Sequence, residues 1–198
     1  MNREELLKIA KPILFNTEMV WAILDGRKTE TRRCVKFKSH KNPNWTGYIM
    51  DGLNIYNGNN EICNKKPQFK PGDILYVRET WAPWSRTEGL MPKIHYKTDG
   101  EDLFRVKWRP SIHMPKEAAR IFLKVEDVRL KRLQDITQPE AKAEGCAVGE
   151  WGLEPIIEFS KLWNSTIKKS DLDTYGWDAN PWVWVIEFER IEPDALDN

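Results

Sequence analysis

The sequence predicts an α+β fold, a mixed barrel-like sheet flanked by short helices. Three observations carry this reading. Alternation of apolar and polar side chains with a period of two marks strands, most clearly over residues 121–128 and 182–189. Short segments bearing helix-cap chemistry lie between the strands. No βαβ unit repeats along the 198 residues, which disfavours a doubly wound sheet. The length suits one domain with a real core, and no repeat or long linker divides residues 1–198.

The first strand is read over residues 11–15. A helix follows, because Asn16 and Thr17 can cap, Glu18 complements the helix N-terminus, and Val20, Trp21, Ile23 and Leu24 give an apolar face. Gly26 fits the left-handed position that closes such a helix. Residues 38–68, rich in Asn, Gly and Lys with turns at Gly47, Gly52 and Gly58, read as an insertion or a hairpin excursion. Lys70-Pro71-Gly72-Asp73 turns the chain into a strand over residues 74–77, ended by Arg78, Glu79, Thr80 and Trp81. A short hairpin around His95, Tyr96 and Lys97 turns at Asp99-Gly100. In the strand over residues 121–128, Ile121, Leu123 and Val125 share one face while Lys124 and Glu126 point outward.

Residues 135–145 then form a helix. Thr137 and Glu140 have capping-box spacing, Pro139 is tolerated in the first turn, and Gly145 suits the stop. Residues 155–169 form the longest amphipathic helix, with Trp163 on its apolar side beside Ile156, Phe159 and Ile167. The last strand puts Trp182, Trp184, Ile186 and Phe188 on one face, ahead of an acidic tail over residues 192–198.

The most informative stretch is Gly26-Arg27-Lys28-Thr29-Glu30-Thr31-Arg32-Arg33, read as a loop after the first helix. Cations this dense raise each other's cost of staying charged, which lowers a lysine's pKa. Lys28, so lowered, could act as base toward the hydroxyl of Thr31, which is inert at its free pKa. Three residues apart, the two meet in a turn or helical loop and face opposite ways in a flat strand. Glu144 falls in the last turn of the helix over residues 135–145, where the helix dipole disfavours a carboxylate by about 0.3–1 kcal/mol. That setting suits a proton donor or acceptor. Glu140, by contrast, is occupied as the return partner of the capping box.

The spacing Gly-x-Lys-x-x-x-x-Arg after a short helix near the N-terminus resembles the signature of ASCH domains, members of the PUA-like β-barrel group. The Pro-Gly-Asp turn into an apolar strand is similar to the central strand of those barrels. The usual signature carries Glu where this chain has Thr31, and a Thr there resembles the small ASCH enzymes that hydrolyse N4-acetylcytidine. That resemblance implies a catalytic set of Lys28, Thr31 and Glu144, the last closing a segment similar to residues 136–144. It implies amide hydrolysis in which Lys28 takes the proton of Thr31, and Thr31 attacks the acyl carbon or orients a water. Glu144 then protonates the departing amine, while backbone N–H groups or an arginine stabilise the oxyanion. Residues 105–116 and 176–182 resemble longer ASCH proteins of phages and prophages, a likeness that covers residues 11–191.

Lys and Arg number 31 against 30 Asp and Glu, so a nucleic acid would have to meet a local patch rather than a global field. Residues 105–116 interleave four cations and His113 with Trp108, as phosphate contact plus base stacking requires. A surface loop covering the barrel mouth fits the same stretch. Of ten tryptophans, Trp81, Trp84, Trp108 and Trp177 lie beside turns and charges and are candidates for stacking a base. The substrate-binding candidates are Arg27, Arg32, Arg33, Glu79, Trp81, Trp108, Arg109 and Trp177.

Cys34, Cys63 and Cys146 outline no disulfide framework, and with His40, His95 and His113 they make no metal-ligand set, so neither metal nor cofactor is expected. Residues 1–10 lack the apolar core of a signal peptide and no apolar run approaches membrane-spanning length. A cytoplasmic protein without a membrane partner is therefore expected. Two function classes remain open. One is an amidohydrolase acting on an N4-acylated cytidine-like nucleoside, and the other a non-catalytic module that binds RNA or DNA. Recognition of a nucleobase is common to both. A nuclease is disfavoured, since no paired catalytic histidines are present.

Overall fold

A computed structural model describes residues 1–37, 48–49, 52–83, 94–100, 106–147 and 154–194. Its elements run α1 (Arg3–Ile9), β1 (Lys11–Leu14), α2 (Thr17–Leu24), β2 (Glu30–Cys34), β3 (Tyr48–Ile49), β4 (Ile55–Tyr56), β5 (Ile74–Arg78), β6 (Trp81–Ala82) and β7 (His95–Tyr96). They continue with β8 (Phe122–Arg132), α3 (Gln138–Ala143), α4 (Pro155–Thr166), α5 (Leu172–Tyr175) and β9 (Trp182–Ile191), joined in places by single 3-10 turns. The fold is mixed α+β. Five strands hydrogen-bond in the order β1-β5-β8-β9-β2, and β3–β4 and β6–β7 form two further ribbons. The β1–β5 pair is parallel, and the β5–β8 and β9–β2 pairs are antiparallel. With β1 and β2 at the ends of this order, the pairing among the described residues closes no barrel.

The chain divides into two compact units, each discontinuous in sequence: residues 1–26, 72–124 and 189–198, and residues 27–71 and 125–188. In the first unit, Leu6, Tyr76, Trp81, Met114 and Phe122 gather into one buried cluster. α1 is held at its start by a capping box between Asn2 and Glu5, a spacing legible in the sequence. α2 begins as expected, with Asn16 Oδ1 accepting from the Met19 N–H at 2.8 Å. The chain leaves it through Gly26 at φ +73°, the left-handed region that glycine enters without penalty. Trp21 departs from the expected apolar face: it is exposed, and its indole N–H donates to the Thr98 carbonyl at 3.0 Å.

In the second unit the core forms where α3 and α4 meet the β9 side chains Val183 and Val185, with Leu133, Phe159 and Trp163. β9 is therefore buried on both faces through most of its length, not only on the expected face of Trp182, Trp184, Ile186 and Phe188. The predicted helix over residues 135–145 is shorter: a 3-10 turn over Leu133–Asp135 precedes α3, whose N-cap Thr137 and Glu140 make the expected capping box. Gly145, at φ +92°, supplies the expected stop. The predicted loop over residues 26–33 is half strand, since β2 pairs with β9 from Glu30↔Glu187 to Cys34↔Val183. The segment 38–68 carries the β3–β4 ribbon, pinned by Asn64, whose Oδ1 accepts from the Ile55 N–H at 2.7 Å. Residues 38–47 and 50–51 of that segment, and Trp84, lie outside the described residues. Among the described residues, no helix is long and apolar enough to cross a membrane.

Candidate functional site

The approach of α3's end to the start of β2 builds a dense charge cluster in the second unit. Lys28 and Glu144 form an isolated antiparallel bridge, and the Thr29 N–H donates to the Ala143 carbonyl at 2.8 Å. These backbone contacts bring the two side chains together. Lys28 Nζ donates to Glu144 Oε2 at 2.6 Å, to the Glu144 carbonyl at 2.8 Å and to the Glu30 carbonyl at 2.8 Å. Three acceptors suit the three N–H groups of an ammonium. Lys28 is 2% exposed and Glu144 3%. Burial draws the Lys28 pKa below the ordinary lysine range, and the charge and hydrogen bond of Glu144 pull it back.

Arg32 completes the cluster. Its Nη1 donates to Glu144 Oε1 at 3.1 Å and to Glu30 Oε2 at 3.4 Å, so each Glu144 oxygen has its own cation. Its Nη2 lies 3.3 Å from Glu140 Oε2, close enough for charge attraction without an aligned hydrogen bond. Its guanidinium also sits 5.7 Å over the Phe159 ring. Lys131 donates to Glu140 at 2.5 Å, and Arg129 joins Glu30 to Glu187. Burial pushes the Glu30 carboxyl up against the opposing pull of Arg32 and Arg129. Burial acts the same way on Glu140, but the Lys131 bond, the Thr137 N–H and Arg32 outweigh it and hold Glu140 below the usual carboxylate range.

Thr31 stands apart from this network. It is buried in β2, and strand alternation turns it and Arg33 to the face opposite Glu30 and Arg32. The flat-strand alternative for Lys28 and Thr31 is thus the one realised, and the Lys28 protons go to Glu144 and Glu30 rather than to the Thr31 hydroxyl. Arg27 is exposed and donates to the Gly145 carbonyl at 3.0 Å. Trp177 is half-buried against Phe159 in an edge-on contact, part of the core margin rather than an open stacking platform.

Glu79, Trp81, Trp108 and Arg109 belong to the first unit. Glu79, expected to meet a ligand, is fully buried, and its carboxylate accepts from Arg120 at 2.9 and 3.1 Å and from the Thr98 hydroxyl at 2.6 Å. Trp81 is buried as well, a residue of β6 rather than a pocket wall, with the Arg109 guanidinium 5.4 Å over its ring. Trp108 is half-buried and Arg109 exposed, beside the ladder that Arg109 makes with Trp81.

The Thr31 face of β2 borders a cavity of about 610 Å³. Cross-strand pairing sets Arg33 beside Trp184 and Thr31 beside Ile186, and Arg33, Trp184 and Ile186 all line the cavity. Phe69 adds to this apolar floor, while Lys36, Lys65 and Lys66 stand at its rim. Burial lowers the Arg33 pKa and Glu144 counters it, so the charge of this cavity-lining residue is felt at the ion cluster. Cys34 also lines the cavity, its thiol pushed up to about 11 by burial. Sequence reasoning missed these lysines, because the pair Lys65-Lys66 carries no local sign that it faces β2. No group of His, Cys, Asp and Glu among the described residues is arranged to hold a metal ion.

Compared with known proteins, the chain matches no family model, no curated protein and no solved structure.

Proposed function

We propose that this chain recognises a nucleoside-like ligand beside the strand that carries Thr31 and Arg33, and hydrolyses an N4-acylated cytidine-like amide, in an ASCH-type, PUA-like setting. The observation that carries the reading is the Lys28–Glu144 pair, a lysine and a carboxylate 116 residues apart joined by a hydrogen bond of 2.6 Å. Transfer of that proton gives an amine and a carboxylic acid, and burial already draws the Lys28 pKa down. The amine then takes a proton from an attacking water, whose oxygen bonds to the acyl carbon. The carboxylic acid gives its proton to the exocyclic nitrogen as the C–N bond breaks, releasing acetate and cytidine. Arg32, which donates to Glu144 Oε1 at 3.1 Å, stabilises the oxyanion that forms between these steps. Thr31, turned to the other face, orients the ligand or the water rather than losing its proton to Lys28.

The alternative, a non-catalytic module for RNA or DNA, draws support from the burial of the same pair, which suits a structural tie as well as a catalytic one. Cytidine release from N4-acetylcytidine separates the two. Under the hydrolase reading, release is lost in Glu144→Gln protein that keeps its circular dichroism spectrum, and persists in Thr31→Val. A folded wild-type protein that releases no cytidine leaves the binding module standing.

A further inference from the structure

We infer that the cavity lined by Arg33, Lys36, Lys65, Lys66, Phe69 and Trp184 receives the phosphate of a nucleotide, free or within a strand, with the ring against the apolar floor. The ring assignment rests on the nucleoside reading above; the phosphate assignment stands on the lysines. The volume of about 610 Å³ lies within the range of about 300–1,000 Å³ typical of small-ligand sites. Phe69, Trp184 and Ile186 are buried, so the floor is fixed before anything binds. Lys36, Lys65 and Lys66 are exposed, and no carboxylate among the described residues pairs with them.

A second cavity of about 530 Å³, which shares Pro67 and Phe69 with the first, provides the contrast. Of its lining cations Lys70, Arg129 and Lys131, the second is neutralised by Glu30, Asp127 and Glu187 and the third by Glu140. Residual positive charge thus gathers at the first cavity, above an apolar surface. An anion joined to a planar ring complements both features, and a phosphate takes charge-assisted bonds from ammonium groups turning on flexible stems. Arg33 supplies the planar donor at the inner end, where its field also reaches Glu144.

Calorimetric titration of the full chain with cytidine, cytidine 5′-monophosphate, a short oligocytidylate and inorganic phosphate tests this, at low and high salt. The monophosphate should bind at least about tenfold more tightly than cytidine, the scale of one charge-assisted bond. Added salt should erode that preference. Lys65→Ala/Lys66→Ala and Lys36→Ala should each shrink the preference toward unity and leave cytidine binding alone. The exposed control Lys168→Ala/Lys169→Ala should change nothing. Oligocytidylate binding with the same lysine dependence, where the monophosphate is weak, would identify a strand as the source of the phosphate. Equal affinity for cytidine and its monophosphate, a preference indifferent to the rim lysines, or no binding by any ligand overturns the inference. N4-acetylcytidine turnover in the same samples keeps the two readings apart. Turnover without a phosphate preference sinks the phosphate site alone, and a phosphate preference without turnover sinks hydrolysis alone.

Discussion

Replacing Glu144 with Gln removes a carboxylate that touches both Lys28 and Arg32. Breaking a buried ion pair by deleting one partner costs about 3–5 kcal/mol, because the other charge is left in the interior. Three features place this case at the lower end. Arg32 keeps Glu30 at 3.4 Å and Glu140 at 3.3 Å. Lys28 can also shed its proton, since burial already lowers its pKa. The glutamine oxygen can still accept one N–H. The expected loss is about 3 kcal/mol, which lowers Tm by roughly 6–12 °C at about 2–4 °C per kcal/mol for a chain of this size.

Lys28→Met should cost less, because Arg32 remains to compensate Glu144. In the double variant Lys28→Met/Glu144→Gln neither charge is stranded, so its loss should fall short of the sum of the singles by at least about 1 kcal/mol. Thermal and urea denaturation at neutral pH, followed by circular dichroism and tryptophan fluorescence together, measures all three. A Glu144→Gln loss under about 1 kcal/mol at unchanged m-value, or strict additivity in the cycle, refutes the reasoning.

Lys28 also fixes a pH dependence. Its folded-state pKa lies below 10.5, so between that value and 10.5 the unfolded chain binds the extra proton and stability rises with pH. The wild type should therefore gain on Lys28→Met as pH climbs from neutrality toward 10.5, and a flat difference in urea midpoints would count against it. Burial lifts Cys34 and Cys146 from 9.0 to about 11, cutting their thiolate fraction about 100-fold at mildly alkaline pH. Alkylation by iodoacetamide, read by mass spectrometry, should label both at least about tenfold more slowly in the native than in the unfolded chain. Gly176→Ala would set its Cβ 2.5 Å from the Leu172 carbonyl oxygen, a backbone atom that cannot move aside, and should cost about 1–3 kcal/mol in urea unfolding. At Gly26 nothing lies within 4 Å, so Gly26→Ala should cost about 1–2 kcal/mol through its φ of +73° alone.

What could be read from the sequence was local. Asn16 caps α2, Thr137 and Glu140 box the start of α3, and Gly26 and Gly145 take positive φ, because each of these depends on neighbours within a few residues. The long strands were legible through their alternation. β2 was not, since Glu-Thr-Arg-Arg-Cys has no apolar period and becomes a strand by pairing with β9, more than 140 residues away. The same distance hides chemistry. Lys28 and Glu144 could be named one at a time, whereas Arg32, Glu30, Glu140 and Arg129 as a network follow only from tertiary contacts. Trp81 shows the converse case. Charged neighbours at a strand end suggested an open wall, but the chain continues into β6 and folds the ring into the core beneath Arg109.

The two faces of β2 differ in a way that bears on where a ligand can act. On the face of Glu30 and Arg32, every charged group has an opposite charge supplied by the chain itself: Glu144, Glu140, Lys28 and Arg129. Entry of a charged ligand there would first have to break buried pairs, each break costing about 3–5 kcal/mol. On the face of Arg33, the lysines at the cavity rim have no carboxylate partner among the described residues, and a counter-charge from outside breaks no ion pair of theirs there. Binding energy is therefore most readily gained on the Arg33 face. Lys28 and Glu144 lie on the other face, buried and paired with each other. A hydrolase built this way must open the Glu144 side of β2 to its substrate during turnover, whereas a binder need not. Hydrogen exchange at the Thr29 amide, which is bonded to the Ala143 carbonyl, distinguishes them: ligand should speed its exchange in a hydrolase and slow it in a binder.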